Sequence, residues 1–246
     1  MKTYLNAFFM CQSMFCAIPA PQIWDEKAKD KMLLFLPVVG LELGVIWYLL
    51  SLLPLPKLIS ALVLSAWPWI GTGYLHLDGY MDVTDAVKSC RSLQRRREIL
   101  KDSHVGSFAV IGIVLLILGQ FACFASVPDG ADLRILMFVP AVSRCCSALA
   151  VTALPAMSTS QYADRQKPKS HLLVLAVMLG VFLFMGFLFC GRDGLALIGT
   201  LIGYAFALRK GYQSLEGMNG DIAGYALTVG ELCACAALAL GGALWF

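Results

Sequence analysis

The stretch VGSFAVIGIVLLILGQFACFASV, residues 105–127, decides the fold class, because its 23 residues include no Asp, Glu, Lys or Arg. About 20 consecutive apolar residues suffice for an α-helix to cross the hydrocarbon core of a bilayer. The whole chain of 246 residues shares this character, since 59% of it is hydrophobic and only 14% is charged, against about 25% in soluble domains. The composition predicts an integral membrane protein and excludes a disordered chain and an ordinary soluble enzyme.

Seven apolar stretches are long enough, or nearly long enough, to cross a membrane. The second and the sixth fall short of about 20 residues and need tilt or local thinning of the bilayer. Ahead of them, the interrupted apolar segment 1–21 predicts an interfacial or re-entrant segment. We expect an all-α, polytopic membrane helical bundle that forms a single integral-membrane domain, residues 1–246. The seven predicted spans are residues 32–53, 58–73, 105–127, 133–154, 171–190, 194–208 and 222–246.

The basic residues are distributed unevenly among the segments that connect these stretches. The segments before the first stretch and after the second, fourth and sixth hold 14 of the 19 Lys and Arg, whereas the intervening segments hold 3. Lys and Arg accumulate in cytoplasmic loops, so the pattern predicts that these four segments are cytoplasmic and that the C-terminus is outside. A net charge of +3 is too small for a nucleic-acid-binding surface, and no nucleic acid partner is expected.

The largest polar block, YLHLDGYMDVTDAVKSCRSLQRRREILKDSH at residues 74–104, lies on the predicted cytoplasmic side. Asp78, Asp82 and Asp85 follow an i, i+4, i+7 spacing, which places three carboxylates on one face of a helix. Like charges so placed repel, and Mg²⁺ relieves the repulsion while leaving sites for water and substrate phosphates. The alternative is a solvated polar face, but no Lys or Arg intervenes. We predict a metal site, with Asp102 as a fourth candidate ligand.

Other residues of the block have two open interpretations each. His76 precedes Asp78 by two residues and could either form a hydrogen bond at the helix start or act in catalysis. Arg97 and Lys101, one helical turn apart, could bind phosphate oxygens, or they could serve only as the basic signal for topology.

Two charged residues outside the block, Arg144 and Asp221, are also candidate site residues. Arg144 lies in the middle of an apolar stretch, where a charge is costly, so it should face the bundle interior toward an anion. Asp221 follows Gly220 at a Gly-rich helix start, which suits a phosphate or a phosphate-bound metal. A helix N-cap is the alternative role for Asp221. Glu42 and Glu231 are also expected to be buried, without an assigned role.

This pattern resembles the cobalamin synthase family, the membrane adenosylcobinamide-GDP ribazoletransferases of bacterial vitamin B12 assembly. The family's central motif is His-x-Asp-Gly-x-x-Asp-x-x-Asp, followed by an Arg-rich stretch and Lys-Asp-Ser-x-x-Gly. The matching residues are His76, Asp78, Gly79, Asp82, Asp85, Arg97, Glu98, Lys101, Asp102, Ser103 and Gly106. Further matches extend over most of the chain, at Pro19 and Pro21, at Phe35, Pro37 and Gly40, at Ser143 and Arg144, and at Gly220, Asp221 and Gly224.

The chain departs from the family pattern at several positions, none of which removes a carboxylate of the cluster. Ala86 stands in place of Gly, Asn219 in place of Thr, and His104 in place of Arg. Ala109 replaces another Gly, and Cys16-Ala17 replaces Thr-Arg before the N-terminal prolines. The lost Arg and the His104 change could alter substrate contacts or rate.

The resemblance implies a Mg²⁺-dependent transfer, in which a hydroxyl of α-ribazole or its 5′-phosphate attacks the pyrophosphate of adenosylcobinamide-GDP and GMP leaves. Metal bridging pyrophosphate oxygens and a basic clamp would stabilise the charge that develops. The general base would be His76 or an Asp that does not ligate the metal. The implied catalytic residues are His76, Asp78, Asp82, Asp85, Lys101 and Asp102. The implied substrate-binding residues are Arg97, Ser103, Arg144, Gly220 and Asp221, and the implied metal ligands are Asp78, Asp82, Asp85 and Asp102.

The resemblance also implies a location and partners. We expect a multi-pass protein of the bacterial cytoplasmic (inner) membrane, embedded in the lipid bilayer, with its active site facing the cytoplasm. A second copy of the chain and other enzymes of cobalamin assembly are further candidate partners.

Two other functions are compatible with parts of the pattern. A CDP-alcohol phosphotransferase also uses Mg²⁺ and an aspartate-rich motif to expel a nucleoside monophosphate, but the second half of its motif is absent here. A transporter would show related halves or helices broken at the midplane, whereas the acidic residues of this chain collect at one edge.

Overall fold

The computed structural model describes residues 2–157 and 168–241. In these residues the regular secondary structure is helical, joined by turns and irregular loops, and the described part of the chain holds no strand beyond one isolated bridge between Ala156 and Met218. The predicted all-α membrane bundle is therefore confirmed. Two of the basic residues used to predict topology, Arg165 and Lys167, lie outside the described residues, as does the end of the last predicted span, 242–246.

Ten α-helices make up the described part of the chain. Short 3₁₀ helices lead into α2 and α7 and connect α8 to α9, at Lys29–Phe35, Leu133–Met137 and Gly191–Gly194. The α-helices are α1 (Lys2–Phe15), α2 (Leu36–Ser51), α3 (Lys57–Ile70), α4 (Leu75–Lys88), α5 (Leu93–Ile99), α6 (Ser107–Ala125), α7 (Val139–Ala153), α8 (Lys169–Cys190), α9 (Leu195–Leu215) and α10 (Gly220–Gly241).

Length and hydropathy identify the stretches of the described residues that could cross a membrane. Five described stretches are long and apolar enough to cross, and α3 with α4 adds a sixth if this pair, bent by 83°, is one broken span. The predicted count of seven is not confirmed, because α3 has only 14 residues, about 21 Å of helix. The five stretches are Lys29–Ser51, Ser107–Ala125, Leu133–Ala153, Lys169–Leu215 and Gly220–Gly241.

The fifth and sixth predicted spans fall together in the stretch Lys169–Leu215. The chain reverses direction within it, since Gly186 on α8 lies directly against the side chain of Leu197 on α9. Gly191, between the two helices, has a φ of +52°, a left-handed conformation that glycine adopts readily. This stretch is therefore a hairpin of two helices.

One end of the bundle gathers the segments that follow α4 and α9 and the described residues 154–157 that follow α7. Arg97 on α5 donates a hydrogen bond to the carbonyl oxygen of Leu215, the last residue of α9 (3.0 Å). The N–H of Met157, after α7, donates to the carbonyl oxygen of Met218, before α10 (2.9 Å). We call this the site end, because α4 carries the three aspartates there.

Contacts at the opposite end join the loops that follow α2, α6 and α8. Lys57, the first residue of α3, pairs with Asp129, after α6, at 3.5 Å. The N–H of Asp132, before α7, donates to the Asp193 carboxylate between α8 and α9 (2.8 Å). The described helices α2, α3, α6, α7, α8, α9 and α10 thus alternate between the two ends, as the pattern of basic residues predicts.

The close crossing of α4 and α10 depends on two glycines. A Cβ on Gly79 would lie 3.0 Å from both the Cα and the carbonyl oxygen of Asp221, and a Cβ on Gly224 would lie 3.3 Å from the Cα of His76. The backbones can approach this closely only because neither position has a side chain. The contact places Asp221 beside the aspartates of α4.

Gly79→Ala should therefore push α4 and α10 apart. Because backbone atoms are the neighbours and cannot rotate away, we expect the free energy of unfolding to fall by about 1–3 kcal/mol. The measurement is the temperature at which solubilised protein loses its monodisperse size-exclusion peak. Gly180→Ala on α8 is the matched control, since a Cβ there meets no atom within 4 Å. Equal stability of the two variants would contradict the close crossing.

Candidate active site at the crossing of α4 and α10

A sharp turn between α3 and α4 sets the direction of the aspartate-bearing helix. Gly73 and Tyr74 both have left-handed backbone conformations, with φ of +58° and +65°, and α4 begins at the next residue. The turn is fixed by hydrogen bonds from the Gly73 N–H to Ile70 and from the Tyr74 N–H to Trp69 (3.0 and 2.8 Å). It bends α4 by 83° from α3, so that α4 crosses α10 at the site end.

A cavity of about 320 Å³ lies between α4 and the connection from α5 to α6. We call it the carboxylate cavity. Its walls include six of the residues predicted for the site, which are Asp78, Asp82, Asp85, Lys101, Asp102 and Ser103. The structure thus gathers into one place residues that are up to 25 positions apart in the sequence.

The carboxylates at this site repel one another. Asp82 is half-buried, and its charge is opposed by those of Asp78, Asp221 and Asp85. Within the described residues, none of these four carboxylates forms an ion pair with a Lys or Arg. A concentration of negative charge without a compensating cation is unfavourable by itself, and it favours a bound cation.

The donor set fits Mg²⁺. In the described part of the chain, no three His, Cys, Asp or Glu side chains stand close enough together to hold a metal ion by themselves. Mg²⁺, however, is usually bound through one or two carboxylates and completes its shell with water and substrate phosphates. Two aspartates of the carboxylate cavity would satisfy this requirement. The magnesium site remains a prediction.

The Asp85 carboxylate also lies next to the N-terminus of α6. It lies against Gly106, the residue that precedes the first turn of α6, so closely that any side chain at position 106 would collide with it. The N-terminus of a helix carries a partial positive charge, which stabilises a carboxylate next to it. With Asp85 in this rotamer, only glycine fits at position 106 of the resembled motif.

Asp102 is bound to a residue that departs from the family pattern. Its carboxylate accepts a hydrogen bond from the His104 backbone N–H (3.0 Å) and contacts the His104 ring nitrogen Nδ1 (2.7 Å). These hydrogen bonds lower the pKa of Asp102, so the carboxyl group stays ionised. Asp102 remains a candidate ligand at the edge of the cavity, but His104 occupies part of its hydrogen-bonding capacity.

Asp221 is not the N-cap of α10. That role falls to Asn219, whose Oδ1 accepts a hydrogen bond from the Ile222 N–H (2.9 Å), while its Nδ2 donates to the Asp221 carboxylate (2.6 Å). Asn219 thus both starts the helix and orients Asp221 beside Asp78. In the sequence, Asn219 stands out only as a departure from the family pattern. An Asn directly before a helix start is, however, a typical N-cap, and this signal could have identified its role.

Two arginines of α5, Arg96 and Arg97, donate hydrogen bonds to backbone carbonyl oxygens. Arg97 donates to the carbonyl oxygens of Leu215 and Glu216 (3.0 and 2.8 Å), and Arg96 donates to that of Ser214 (3.2 Å). These are carbonyls at the C-terminal end of α9, where intrahelical partners are missing. The predicted contact of Arg97 with substrate stays a prediction. Lys101, by contrast, is exposed at the carboxylate cavity.

Arg97→Ala should release α5 from the end of α9, because it removes two hydrogen bonds to carbonyls that have no other partner in the helix. We expect amide hydrogens of residues 93–99 to exchange with solvent at least about tenfold faster. The control is Arg95→Ala, which removes only an exposed ion pair with Glu98. Unchanged exchange in Arg97→Ala would show that α5 is held by other contacts.

Arg144 finds its anion inside the protein. Its guanidinium Nη1 donates to the Glu231 carboxylate on α10 (2.7 Å), and the Ser143 hydroxyl donates to the same oxygen (2.8 Å). Arg144 is 1% exposed and Glu231 is 3% exposed. Arg144 does not line the carboxylate cavity. The predicted interior anion is thus Glu231, a pairing that the sequence analysis missed, and a contact of Arg144 with substrate remains only a prediction.

A second cavity, of about 240 Å³, adjoins the crossing of α4 and α10. We call it the apolar cavity, because its walls come mainly from apolar residues of α1, α2 and α7. His76, Gly220 and Asp221 also line it. The structure therefore separates His76 and Gly220 from the carboxylate cavity, while Asp221 lies between the two.

The fold and the site together define a polytopic membrane protein with a carboxylate-rich cavity where two helices cross at one end of its bundle. The family model for cobalamin-5-phosphate synthase matches residues 7–239. The chain belongs to this family.

Individual relatives agree with the family model. A protein of Clostridium perfringens strain SM101 is 35% identical over 241 residues, covering 94% of this chain and 96% of the relative. A protein of Clostridium botulinum strain Alaska E43 is 31% identical over 242 residues with the same coverage. One of Lachnoclostridium phytofermentans is 30% identical over 243 residues, covering 94% of this chain and 92% of the relative. Each is named adenosylcobinamide-GDP ribazoletransferase. No solved structure matches the chain.

Proposed function

We propose that this protein is an adenosylcobinamide-GDP ribazoletransferase, which joins α-ribazole or α-ribazole 5′-phosphate to adenosylcobinamide-GDP and releases GMP in a late step of cobalamin synthesis. The observation that carries the proposal is the carboxylate cavity, where Asp78, Asp82 and Asp85 face Lys101 and Ser103. A transfer at a pyrophosphate requires both charges to bind metal and donors to bind phosphate oxygens, and this cavity offers both.

Asp78 and Asp82 would hold Mg²⁺, and Asp85 and Asp102 are the alternative ligands for either of these two positions. When bound, the ion would neutralise negative charge on the pyrophosphate and on the departing GMP. A single metal held through two carboxylates leaves open positions for the oxygens of the substrate.

The protein's own residues supply the remaining requirements of the reaction. Lys101 and the Ser103 hydroxyl are exposed at the carboxylate cavity, where they can donate hydrogen bonds to phosphate oxygens. The attacking hydroxyl must lose a proton, and a carboxylate that is not a metal ligand can accept it. Asp221 suits this role, because Asn219 orients it and it lies between the two cavities.

The two alternative functions have weaker support. A CDP-alcohol phosphotransferase requires a second group of aspartates on a neighbouring helix, and in the described residues only Asp221 comes from another helix. A transporter requires a polar path through the bundle. Of the charged side chains within the described spans, Arg144 and Glu231 are fully buried and pair with each other, whereas Glu42 on α2 is only half-buried.

We also propose a location in the cytoplasmic (inner) membrane of a bacterium, with the site end facing the cytoplasm. The basic residues near the site support this orientation, since positive charge is enriched in cytoplasmic loops. Self-association and contacts with other enzymes of cobalamin assembly remain candidate interactions. A tag at the C-terminus should be accessible only from the outer side.

The decisive experiment is an assay of purified membranes with adenosylcobinamide-GDP and either α-ribazole or its 5′-phosphate. We expect GMP release that requires the acceptor, is supported by Mg²⁺ and stops when the metal is chelated. Membranes from cells that lack the protein serve as the control. GMP release that does not depend on the acceptor would indicate a hydrolase, and an absence of release with both acceptors would reject the proposed function.

A further inference from the structure

The apolar cavity has features that the proposed reaction in the carboxylate cavity does not use. Its polar lining consists of His76, Ser147 and Asp221, and most of its remaining wall is apolar, including Phe15 and Val151. A buried cavity with a few polar groups among apolar walls is typical of a site for a small ligand.

His76 is the polar group in this cavity that most needs a ligand. The side chain is only 9% exposed, and its Nε2 has no hydrogen-bond partner. A buried ring nitrogen without a partner costs free energy, so such groups call for a specific explanation. The His76 ring lies nearly parallel to that of Phe15, with an interplanar angle of 16° and 6.3 Å between centroids. A flat aromatic ligand could contact both rings.

The size of the apolar cavity restricts its occupant. Its volume of about 240 Å³ is below the range of roughly 300–1,000 Å³ for sites that take drug-sized molecules. A whole nucleotide or a corrinoid is too large for it, whereas one fused pair of aromatic rings is of the right order. Guanine is also such a pair, but it carries several hydrogen-bond donors and acceptors, and a wall with only three polar side chains suits a benzimidazole-like base better.

The position of the apolar cavity relates it to the reaction. Asp221 lines it and also lies near enough to Asp82 and Asp78 of the carboxylate cavity for their charges to interact. A ligand whose ring occupied the apolar cavity would therefore have its polar end at Asp221, beside the carboxylates.

We propose that the apolar cavity binds the aromatic base of the acceptor, α-ribazole, against the His76 ring, and that a rotation of this ring turns its buried Nε2–H to donate a hydrogen bond to the ring nitrogen that does not carry the sugar. The ribose then lies at Asp221, and its hydroxyl reaches the carboxylate cavity. This inference rests on the proposed function, because that function supplies a nucleoside with a benzimidazole-like base. His76 accordingly selects and positions the acceptor, and Asp221 is left as the group nearest to its hydroxyl.

The first test narrows the cavity. Val151, which is 5% exposed, lines it, so Val151→Phe should fill the space for the base. We expect KM for α-ribazole to rise at least tenfold, with KM for adenosylcobinamide-GDP within twofold of wild type. Val177→Phe on α8 is the matched control, since Val177 is 57% exposed on the outer face. Equal changes in both KM values, or no change in a folded Val151→Phe protein, would overturn the inference.

A second variant keeps this test decisive if Val151→Phe does not fold. Met14 lines the same cavity from α1 and is only partly buried, so that Met14→Trp also narrows the space with less disturbance of the core. The same split between the two KM values is expected. If Met14→Trp leaves KM for α-ribazole unchanged, the base does not bind in this cavity.

The second test addresses the hydrogen bond of His76. It compares α-ribazole with an analogue in which an indole replaces the benzimidazole and therefore lacks the acceptor nitrogen. Wild-type protein should bind the indole analogue at least tenfold more weakly, and His76→Phe should bind the two compounds equally. A purely structural role of His76 would weaken binding of both compounds alike and preserve the preference.

Direct binding separates this inference from the proposed function. Equilibrium dialysis of solubilised wild-type protein with α-ribazole alone requires no turnover. If α-ribazole binds and Val151→Phe abolishes binding, but no GMP is released, the function fails and the binding site stands. If GMP is released normally and both cavity variants keep their affinity for α-ribazole, the function stands and this inference fails. An absence of both binding and turnover rejects both.

Discussion

Asp82→Asn should lower GMP release from adenosylcobinamide-GDP at least about 100-fold while leaving the protein at least as stable as wild type. The loss follows because the substitution removes a charge at the centre of the carboxylate cavity, and one preorganised charge or donor at such a site contributes roughly 10²–10³ to the rate. The stability follows because the charge of Asp82 is opposed by those of Asp78, Asp221 and Asp85. Removing it relieves repulsion.

This opposite response of activity and stability is what distinguishes a functional carboxylate from a structural one. The two measurements are initial rates in membranes and the thermal loss of the monodisperse peak. Asp129→Asn is the matched control, because this carboxylate is 99% exposed at the opposite end of the bundle. A stable Asp82→Asn protein with normal turnover would show that the carboxylate cavity is not the site of the reaction.

Metal binding can be followed in the same variants without turnover. A ligand that binds only the folded state raises its stability by an amount that grows with ligand concentration. Mg²⁺ should therefore raise the melting temperature of the wild-type protein and of Asp129→Asn, and not that of Asp82→Asn. An equal effect of Mg²⁺ on all three proteins would contradict a metal site at Asp82.

The sequence sufficed for the features that depend on composition and on local spacing. The apolar stretches predicted the helical bundle, and the spacing of Asp78, Asp82 and Asp85 placed these residues on one face of α4, because both patterns follow from the geometry of a single helix. The joining of this face with residues 101–103 was within reach as well, since only a short helix and its connections separate them.

The features that escaped prediction depend on contacts between distant parts of the chain. The pairing of Arg144 with Glu231 joins residues 87 positions apart, and only the packing of α7 against α10 brings them together. The division of the site into two cavities likewise depends on the crossing at Gly79. A count of hydrophobic residues also cannot reveal the left-handed turn at Gly73 and Tyr74, which bends the chain by 83° between α3 and α4.

The buried ion pair should produce the largest effect on stability. Glu231→Ala leaves the guanidinium of Arg144 buried at 1% exposure with only the Pro140 carbonyl and the Ser143 hydroxyl as partners. Breaking a buried pair in this way costs about 3–5 kcal/mol, which corresponds to a melting temperature lower by roughly 6–20 °C in a chain of this length. Lys57→Ala provides the comparison, since its pair with Asp129 is exposed and worth at most about 1 kcal/mol.

The double variant Arg144→Met with Glu231→Leu decides between two roles for the arginine. It removes both charges together, fills similar volume and should recover most of the lost stability, because apolar replacements of buried ion pairs are often neutral or stabilising. If Arg144 acts by holding α7 against α10, the double variant keeps turnover within about tenfold of wild type. If Arg144 instead binds a substrate phosphate in a state that differs from this one, the double variant is folded and inactive. We expect the first result, because Glu231 satisfies the charge of Arg144 within the core and the carboxylate cavity does not expose its guanidinium.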